Sequence, residues 1–228
     1  MKVELIYNLE SIELEDIEYT LGKLHKSFGF YLPSNAFENV KTFGDICQIF
    51  EKNMPYKNEE SCTTQQAFYK IRNSIVVSQN INREHIRPCT KLDEIFPRNE
   101  RRKRIKEFKN ELAIPVILLT MKTWLLLSII AGLVISLATF FFSWKFALTG
   151  ILICLVFNWV ATKFQNEIDF ISIGDLAAKI AREHYIQIRR NPNTVNKHEV
   201  IKVIQGTFIA DHALDLADLN QDALLCKY

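Results

Sequence analysis

Apolar residues recur at helical three-and-four spacing from Leu14 through Ile17, Leu21 and Leu24 to Phe28, and Gly29 then ends the pattern. A polar linker with Pro33 and Asn35 follows. Thr42-Phe43-Gly44-Asp45-Ile46 opens a second helix through Phe50: Thr42 can accept an amide hydrogen bond as N-cap, and Asp45, three residues on, can reach back. Ser172-Ile173-Gly174-Asp175-Leu176 repeats the device ahead of a helix reaching about Tyr185, with Ser172 and Asp175 as its caps and Ile173, Leu176 and Ile180 on one face. Phe68, Ile71 and Ile75 make another stripe, followed by an irregular loop over 82–90 and a Leu92-Ile95-Phe96 turn that can pack back on it. Val200, Val203, Ile204 and Phe208 make a similar stripe before an acidic loop and a Leu219, Leu224, Leu225 tail. Ile105, Phe108 and Leu112 give a further face whose opposite side is crowded with Arg and Lys. Modules of one kind thus recur along the chain.

Between these amphipathic pieces the pattern changes. Residues 124–142 (WLLLSIIAGLVISLATFFF) carry no charge, and neither do residues 146–162 (FALTGILICLVFNWVAT). About 20 apolar residues in a helix cross the hydrocarbon core of a bilayer. Two membrane spans, near 123–142 and 146–163, are therefore expected. One continuous helix would bury Lys145 at its middle at a cost of about 3 kcal/mol, so a tight hairpin is expected, with Lys145 at the far interface. Trp124, Trp144 and Trp159 fall near the interfaces, together with Lys145 and Lys163. No ionisable residue inside the spans marks a conduction path.

The distribution of positive charge predicts the orientation. Arg98, Arg101, Arg102, Lys103, Arg104, Lys106, Lys109 and Lys122 precede the hairpin, and Lys163, Lys179, Arg182, Arg189 and Arg190 follow it. The turn holds one Lys, so both termini are expected in the cytosol, with the protein in the inner (cytoplasmic) membrane. The stretch from Arg98 to Lys109 has two readings. It attracts anionic lipid headgroups, or it only fixes topology.

A net charge of +2 on a chain that is 48% apolar and 24% charged excludes little. The basic run lacks an aromatic-basic platform, so no nucleic-acid partner is expected. Cys47, Cys62, Cys89, Cys154 and Cys226 form no CxxC pair and are read as reduced thiols. The five histidines show no metal-ligand spacing, and no phosphate-cradling glycine loop is present. The acidic start, MKVELIYNLESIELED, is unlike a signal peptide. Glu13, Glu15, Asp16 and Glu18 read as a solvated helix face; Asp211-His212 with Asp215 and Asp218 lacks the spacing of a catalytic or cation site. No catalytic residue, metal or cofactor is expected.

Residues 14–52 resemble the second, third and fourth helices of acyl carrier proteins in the order helix, Phe-Gly-apolar, Pro, then Thr-x-Gly-Asp. Residues 67–96 are similar to that family's first helix and long loop, and 99–115, ending in Ile114-Pro115, to its second helix. On this resemblance Ser172-Ile173-Gly174-Asp175 supplies the fourth helix, with the hairpin inserted near the third. Residues 198–225 resemble another first helix and loop. The family attaches phosphopantetheine to the serine of an Asp-Ser-Leu motif, whereas the matching positions here read Glu13-Leu14-Glu15 and Arg98-Asn99-Glu100. Ser11, between Glu10 and Ile12, does not restore the motif. The resemblance therefore implies degenerate modules that bind partners rather than carry acyl groups.

The expectation is an all-α fold of small acyl-carrier-like helical bundles plus a two-helix transmembrane hairpin. Its divisions are a 1–56 module that 196–228 can complete, a second module begun by 57–118, the hairpin at 119–164, the second module's last helix at 165–195, and a C-terminal helix and loop at 196–228. The expected function is a non-enzymatic, membrane-anchored binding or assembly surface. An accessory protein of acyl or lipid metabolism and an immunity-type membrane protective protein stay open as alternatives. The expected partners are the lipid bilayer with its anionic headgroups and a protein whose identity the sequence leaves open, and helix association through Gly132 and Gly150 allows an oligomer.

Overall fold

The computed structural model describes residues 8–9, 12–141, 143–163 and 165–225; Glu10, Ser11, Cys226 and the last residue of the first expected span, Phe142, lie outside the described residues. The chain is mostly helical. In order it runs β1 (Asn8–Leu9), α1 (Leu14–Phe28), α2 (Phe43–Asn53), β2 (Lys57–Asn58), α3 (Thr63–Gln79), α4 (Leu92–Ile95) and α5 (Arg101–Leu112). Then come β3 (Leu119–Thr120), α6 (Thr123–Ala138), α7 (Trp144–Lys163) and β4 (Glu167–Ile168). It closes with α8 (Ile173–Glu183), α9 (Tyr185–Ile188), β5 (Thr194–Val195), α10 (Lys197–His212) and β6 (Leu224–Leu225). Two compact units divide the chain, one of residues up to 73 with those from 174 onward, the other of residues 74–173.

In the first unit, α1, α2 and α10 share one core in which Leu24, Phe28, Ile46, Phe50, Ile204 and Phe208 are fully buried. Burying each such side chain contributes about 1.5–3 kcal/mol relative to leaving it in water. Phe43 meets Phe208 edge to face at 5.3 Å, and Phe28 meets Tyr185 at 5.4 Å. Both ends of the sequence contribute to this core. β1 pairs in parallel with β6, Asn8 opposite Leu224, while the Leu225 amide donates to the Lys41 carbonyl at 2.9 Å. Thr42 caps α2: its hydroxyl accepts from the Asp45 amide, and the Asp45 carboxylate accepts from the Thr42 and Lys41 amides, both at 2.9 Å. Those backbone donors, Lys41 first, hold the Asp45 carboxyl below its usual range.

In the second unit, Ile105, Phe108 and Leu112 of α5 are buried, and the Phe108 ring lies 5.4 Å from that of Phe96 just after α4. Beyond α5 the chain is extended. Ile114, Val116 and Leu118 are buried while Ile117 is 72% exposed, the period-two alternation of a strand. β3 and β4 then pair antiparallel, Leu119 opposite Ile168 and Thr120 opposite Glu167. The short strands are absent from the expected helical pattern because two residues are too few to display an alternation.

The recurrence in the sequence has a backbone counterpart. α3 is followed by left-handed Asn80, the turn cap Asn82, buried Ile86 and a bridge at Lys91; α10 is followed at the same spacings by left-handed Ala213, the turn cap Asp215, buried Leu219 and a bridge at Leu224. Each loop ends in an antiparallel bridge to the residue preceding a helix, Lys91 to Ser172 before α8 and Leu224 to Thr42 before α2. α1 and α5 match as well. Ile17, Leu21, Leu24 and Phe28 are buried before left-handed Gly29; Arg101, Ile105, Phe108 and Leu112 are buried before left-handed Ala113.

Candidate membrane interface

α6 with its following 3-10 turn, Thr123–Phe141, has 19 residues, and α7 has 20. At about 1.5 Å per residue each reaches about 30 Å, enough to cross a bilayer core. The two helices are long and apolar enough to span a membrane, yet only 11% of the apolar window of each is buried. A core helix of a soluble domain would enclose these side chains. Instead Leu127, Val134, Leu137, Phe146, Leu152 and Ile153 stand outward.

Small residues hold the hairpin together. A β-carbon on Gly132 would lie 3.0 Å from Cys154 Sγ, and one on Gly150 would overlap the Ser136 hydroxyl. Gly132 facing Cys154 and Ser136 facing Gly150 make the pair antiparallel, which brings Trp124 and Lys163 to one end and Trp144 and Lys145 to the other. Ala147 and Ala161 are buried on the same seam. Lys145 lies in the first turn of α7, not in the connection. No Gly or Pro interrupts residues 140–149, and the Ala147 amide already bonds back to the Ser143 carbonyl, so the helix starts at Trp144.

The hydroxyls of Ser128, Ser136, Thr139, Thr149 and Thr162 each donate to a carbonyl three or four residues earlier in the same helix, at 2.7–2.9 Å. That satisfies them without water, as a lipid-facing helix requires. Lys163 Nζ lies 5.5 Å from the Trp159 ring centre, the ammonium resting on an aromatic face at the end of α7.

The basic run closes a collar around the base of the hairpin. Arg98 Nη2 lies 2.6 Å from Glu167 Oε1, with Lys122 Nζ 3.9 Å from the same oxygen. Arg102 donates to the Gln165 carbonyl at 2.9 Å, and the Asn166 amide donates to the Arg98 carbonyl at 3.1 Å. Arg101 points inward instead of joining the charged face. Only 5% exposed, it donates to the Phe96 and Asn166 carbonyls at 3.0 and 2.7 Å and to Asp93 Oδ1 at 2.5 Å. It occupies the position that Ile17 fills in α1, so its stem packs while the guanidinium ties α5 to the chain leaving α7. Arg104 pairs with Glu100 on its own helix, Lys103 and Lys106 are exposed, and Lys109 is half-buried.

The sequence marks the cations but not their acceptors. Glu167 and Asp169 are two acids just beyond α7 whose spacing names no partner, and the acceptors of Arg101 and Arg102 at 165 and 166 are main-chain carbonyls, which leave no side-chain signal. Thr42 and Asp45 cap the start of α2, and Ser172 and Asp175 lie at the start of α8.

In the first unit, titratable side chains tie its elements together. Thr20 Oγ1 lies 3.0 Å from both Asp211 Oδ2 and His212 Nε2, with Lys23 Nζ 2.6 Å from Asp211 Oδ1. A hydroxyl beside an imidazole and a carboxylate has the makings of a nucleophile, but Thr20 is wholly buried and the group ties α1 to α10. Asp215 and Asp218 cap their own turn. Arg189, 4% exposed, donates to the Glu59 and Ser61 carbonyls and to the Ser61, Thr63 and Thr194 hydroxyls. Burial pushes the Cys47 thiol up to about 12, leaving it an inert core residue. Among the described residues, no group of three or more His, Cys, Asp and Glu side chains is placed to hold a metal ion. Comparison with protein-family models, with curated proteins and with solved structures finds no match to this chain.

Proposed function

We propose that this chain is a non-enzymatic, membrane-anchored protein in which α6 and α7 cross the bilayer as a hairpin and the helical units on its two flanks form a protein-binding or assembly surface on one side. The observation that carries the reading is the pair of apolar helices with an outward face of large hydrophobic side chains and inward-satisfied hydroxyls. In water that face would be a large aggregation-prone patch; lipid solvates it. Lys and Arg on both flanks, against a single Lys at the hairpin tip, favour an inner membrane with both termini cytoplasmic.

The flanking units support a binding role. Their resemblance to acyl carrier modules comes without the serine that would bear a prosthetic arm, and the repeated helix-loop-bridge geometry supplies a scaffold. Alkaline carbonate extraction of membranes, with protease accessibility of tags at the two termini, tests the anchor. Retention in the pellet with both tags on the cytosolic side is expected, and release into the supernatant overturns the reading. Cross-linked affinity purification from intact membranes then tests the binding role. Specific partners absent from control membranes lacking the chain are expected; recovery of lipid alone would overturn it.

A further inference from the structure

We infer that Asn158 is the contact through which a second copy of this chain joins the hairpin inside the bilayer, the two carboxamides hydrogen-bonding to each other across a twofold axis. This rests on the hairpin lying in a membrane. The polar side chains of α6 and α7 then divide into two kinds. The hydroxyls of Ser128, Ser136, Thr139, Thr149 and Thr162 each return a bond to their own helix. Asn158 returns none, and among the described residues its carboxamide has no hydrogen-bond partner. It precedes Lys163 by five positions, about 7.5 Å along α7, within the uncharged stretch. Lipid tails cannot satisfy an amide there.

Asn158 stands at the edge between two faces of α7. Cys154 and Ala161, one turn to either side of it, lie on the α6 seam, while Leu155 and Thr162 stand outward. Asn158 is accordingly half-buried. The register that sets Gly132 against Cys154 and Ser136 against Gly150 runs on to Ser128 opposite Asn158, but the Ser128 hydroxyl donates to the Leu125 carbonyl. Complementarity then selects the partner. A carboxamide carries both donors and an acceptor, so an identical group turned about a twofold axis satisfies both. From Phe146 to Thr162 the helix bears no charge, and a partner with an intramembrane ionisable group would find no counter-ion on it. A second copy brings no such group. Gly132 and Gly150, the close-approach positions offered by the sequence, are already used within the hairpin.

The test uses the full chain in phosphatidylcholine vesicles, in two pools labelled on a short N-terminal tag with a donor or an acceptor dye. Energy transfer is followed as the protein-to-lipid ratio rises. Transfer that saturates and is competed by unlabelled chain is expected. Asn158→Leu, similar in shape but without the amide, should weaken association about 3- to 30-fold, the range for one interhelical hydrogen bond in a membrane. Asn158→Gln should retain most of it, and Ser128→Ala should leave it unchanged. A wild type that stays monomeric at every density overturns the proposal and assigns the amide to interfacial water or headgroups. Equal association of the wild type and Asn158→Leu, or a Gln variant no better than the Leu variant, overturns the role of the amide. Transfer that appears only after membrane extract is added assigns the contact to a different protein and overturns the second copy. A chain that carbonate strips from the vesicles overturns the anchor itself, an outcome distinct from a membrane-resident monomer.

Discussion

Gly150 of α7 lies so close to Ser136 of α6 that a β-carbon at position 150 would overlap the Ser136 hydroxyl and stand 3.0 Å from its Cβ. In lipid, apolar burial gives no net drive for two apolar helices to meet, so close backbone approach through small residues carries the association. The Ser136 hydroxyl is already committed to the Gly132 carbonyl at 2.8 Å and has little freedom to turn away.

Gly150→Leu should therefore separate the two apolar helices, at a cost of about 1–3 kcal/mol typical of overpacking. Thermal unfolding in detergent micelles reads the loss as a lowered midpoint. Gly150→Ala should be milder, and Ser136→Gly in that background should restore most of the stability. Wild-type behaviour of Gly150→Leu would mean that the seam is not packed as described.

Arg101 makes a second prediction. It is the buried member of a basic run, with acceptors on both sides of the hairpin base. Arg101→Met keeps the apolar stem but leaves the Phe96 and Asn166 carbonyls without their donor, costing about 1–3 kcal/mol for each that water cannot reach. Arg101→Lys should recover only part, since one ammonium cannot serve three divergent acceptors. Arg104→Gln, which removes a surface pair with Glu100, should change stability by less than about 1 kcal/mol. Equal effects at 101 and 104, in the same unfolding assay, would refute the distinction.

The contrast between these two arginines marks how far the sequence was legible. Periodicity located the apolar faces of α1, α5, α8 and α10, because a stripe such as Leu21, Leu24 and Phe28 shows its burial in its spacing, and the Thr42–Asp45 capping box located the start of α2. Uncharged length likewise located α6 and α7. Arg101 was hidden because a charged residue at a core position reads as a break in the stripe; only the acceptors at Phe96, Asp93 and Asn166, distant in sequence, turn it into a packed one. The parallel pairing of β1 with β6 was equally silent, being a main-chain contact between opposite ends of the chain.

Among the described residues two helix ends carry a left-handed alanine, Ala113 at φ 55° and Ala213 at φ 52°, and a third carries Asn80 at φ 53°. Gly29 fills the corresponding place after α1, at φ 67°. Alanine is strained in that conformation and glycine is not, so Ala113→Gly and Ala213→Gly should each stabilise the protein by about 1 kcal/mol. Gly29→Ala should destabilise, the more so because its β-carbon would come 3.3 Å from Tyr56 Oη. Equilibrium unfolding of the three variants decides. A loss at 113 or 213 would contradict the left-handed caps.

His25 supplies the last prediction. Its ring lies among Phe30, Tyr31, Phe37 and Phe50, with centroids 5.5–6.4 Å away, and its buried Nε2 has no hydrogen-bond partner. Burial disfavours the imidazolium and lowers the pKa from the ordinary 6.5. The unfolded chain then binds the proton more readily than the folded one. Stability from the neutral ring is complete above pH 6.5 and is lost as the pH falls from there toward the lowered folded-state value. His25→Phe keeps an aromatic ring and removes the titration, so its stability should decline less than that of the wild type across the same acid range. Chemical unfolding of both proteins at a series of pH values measures the difference. Parallel profiles would show that this imidazole does not carry the acid sensitivity and that its neighbours tolerate the charge.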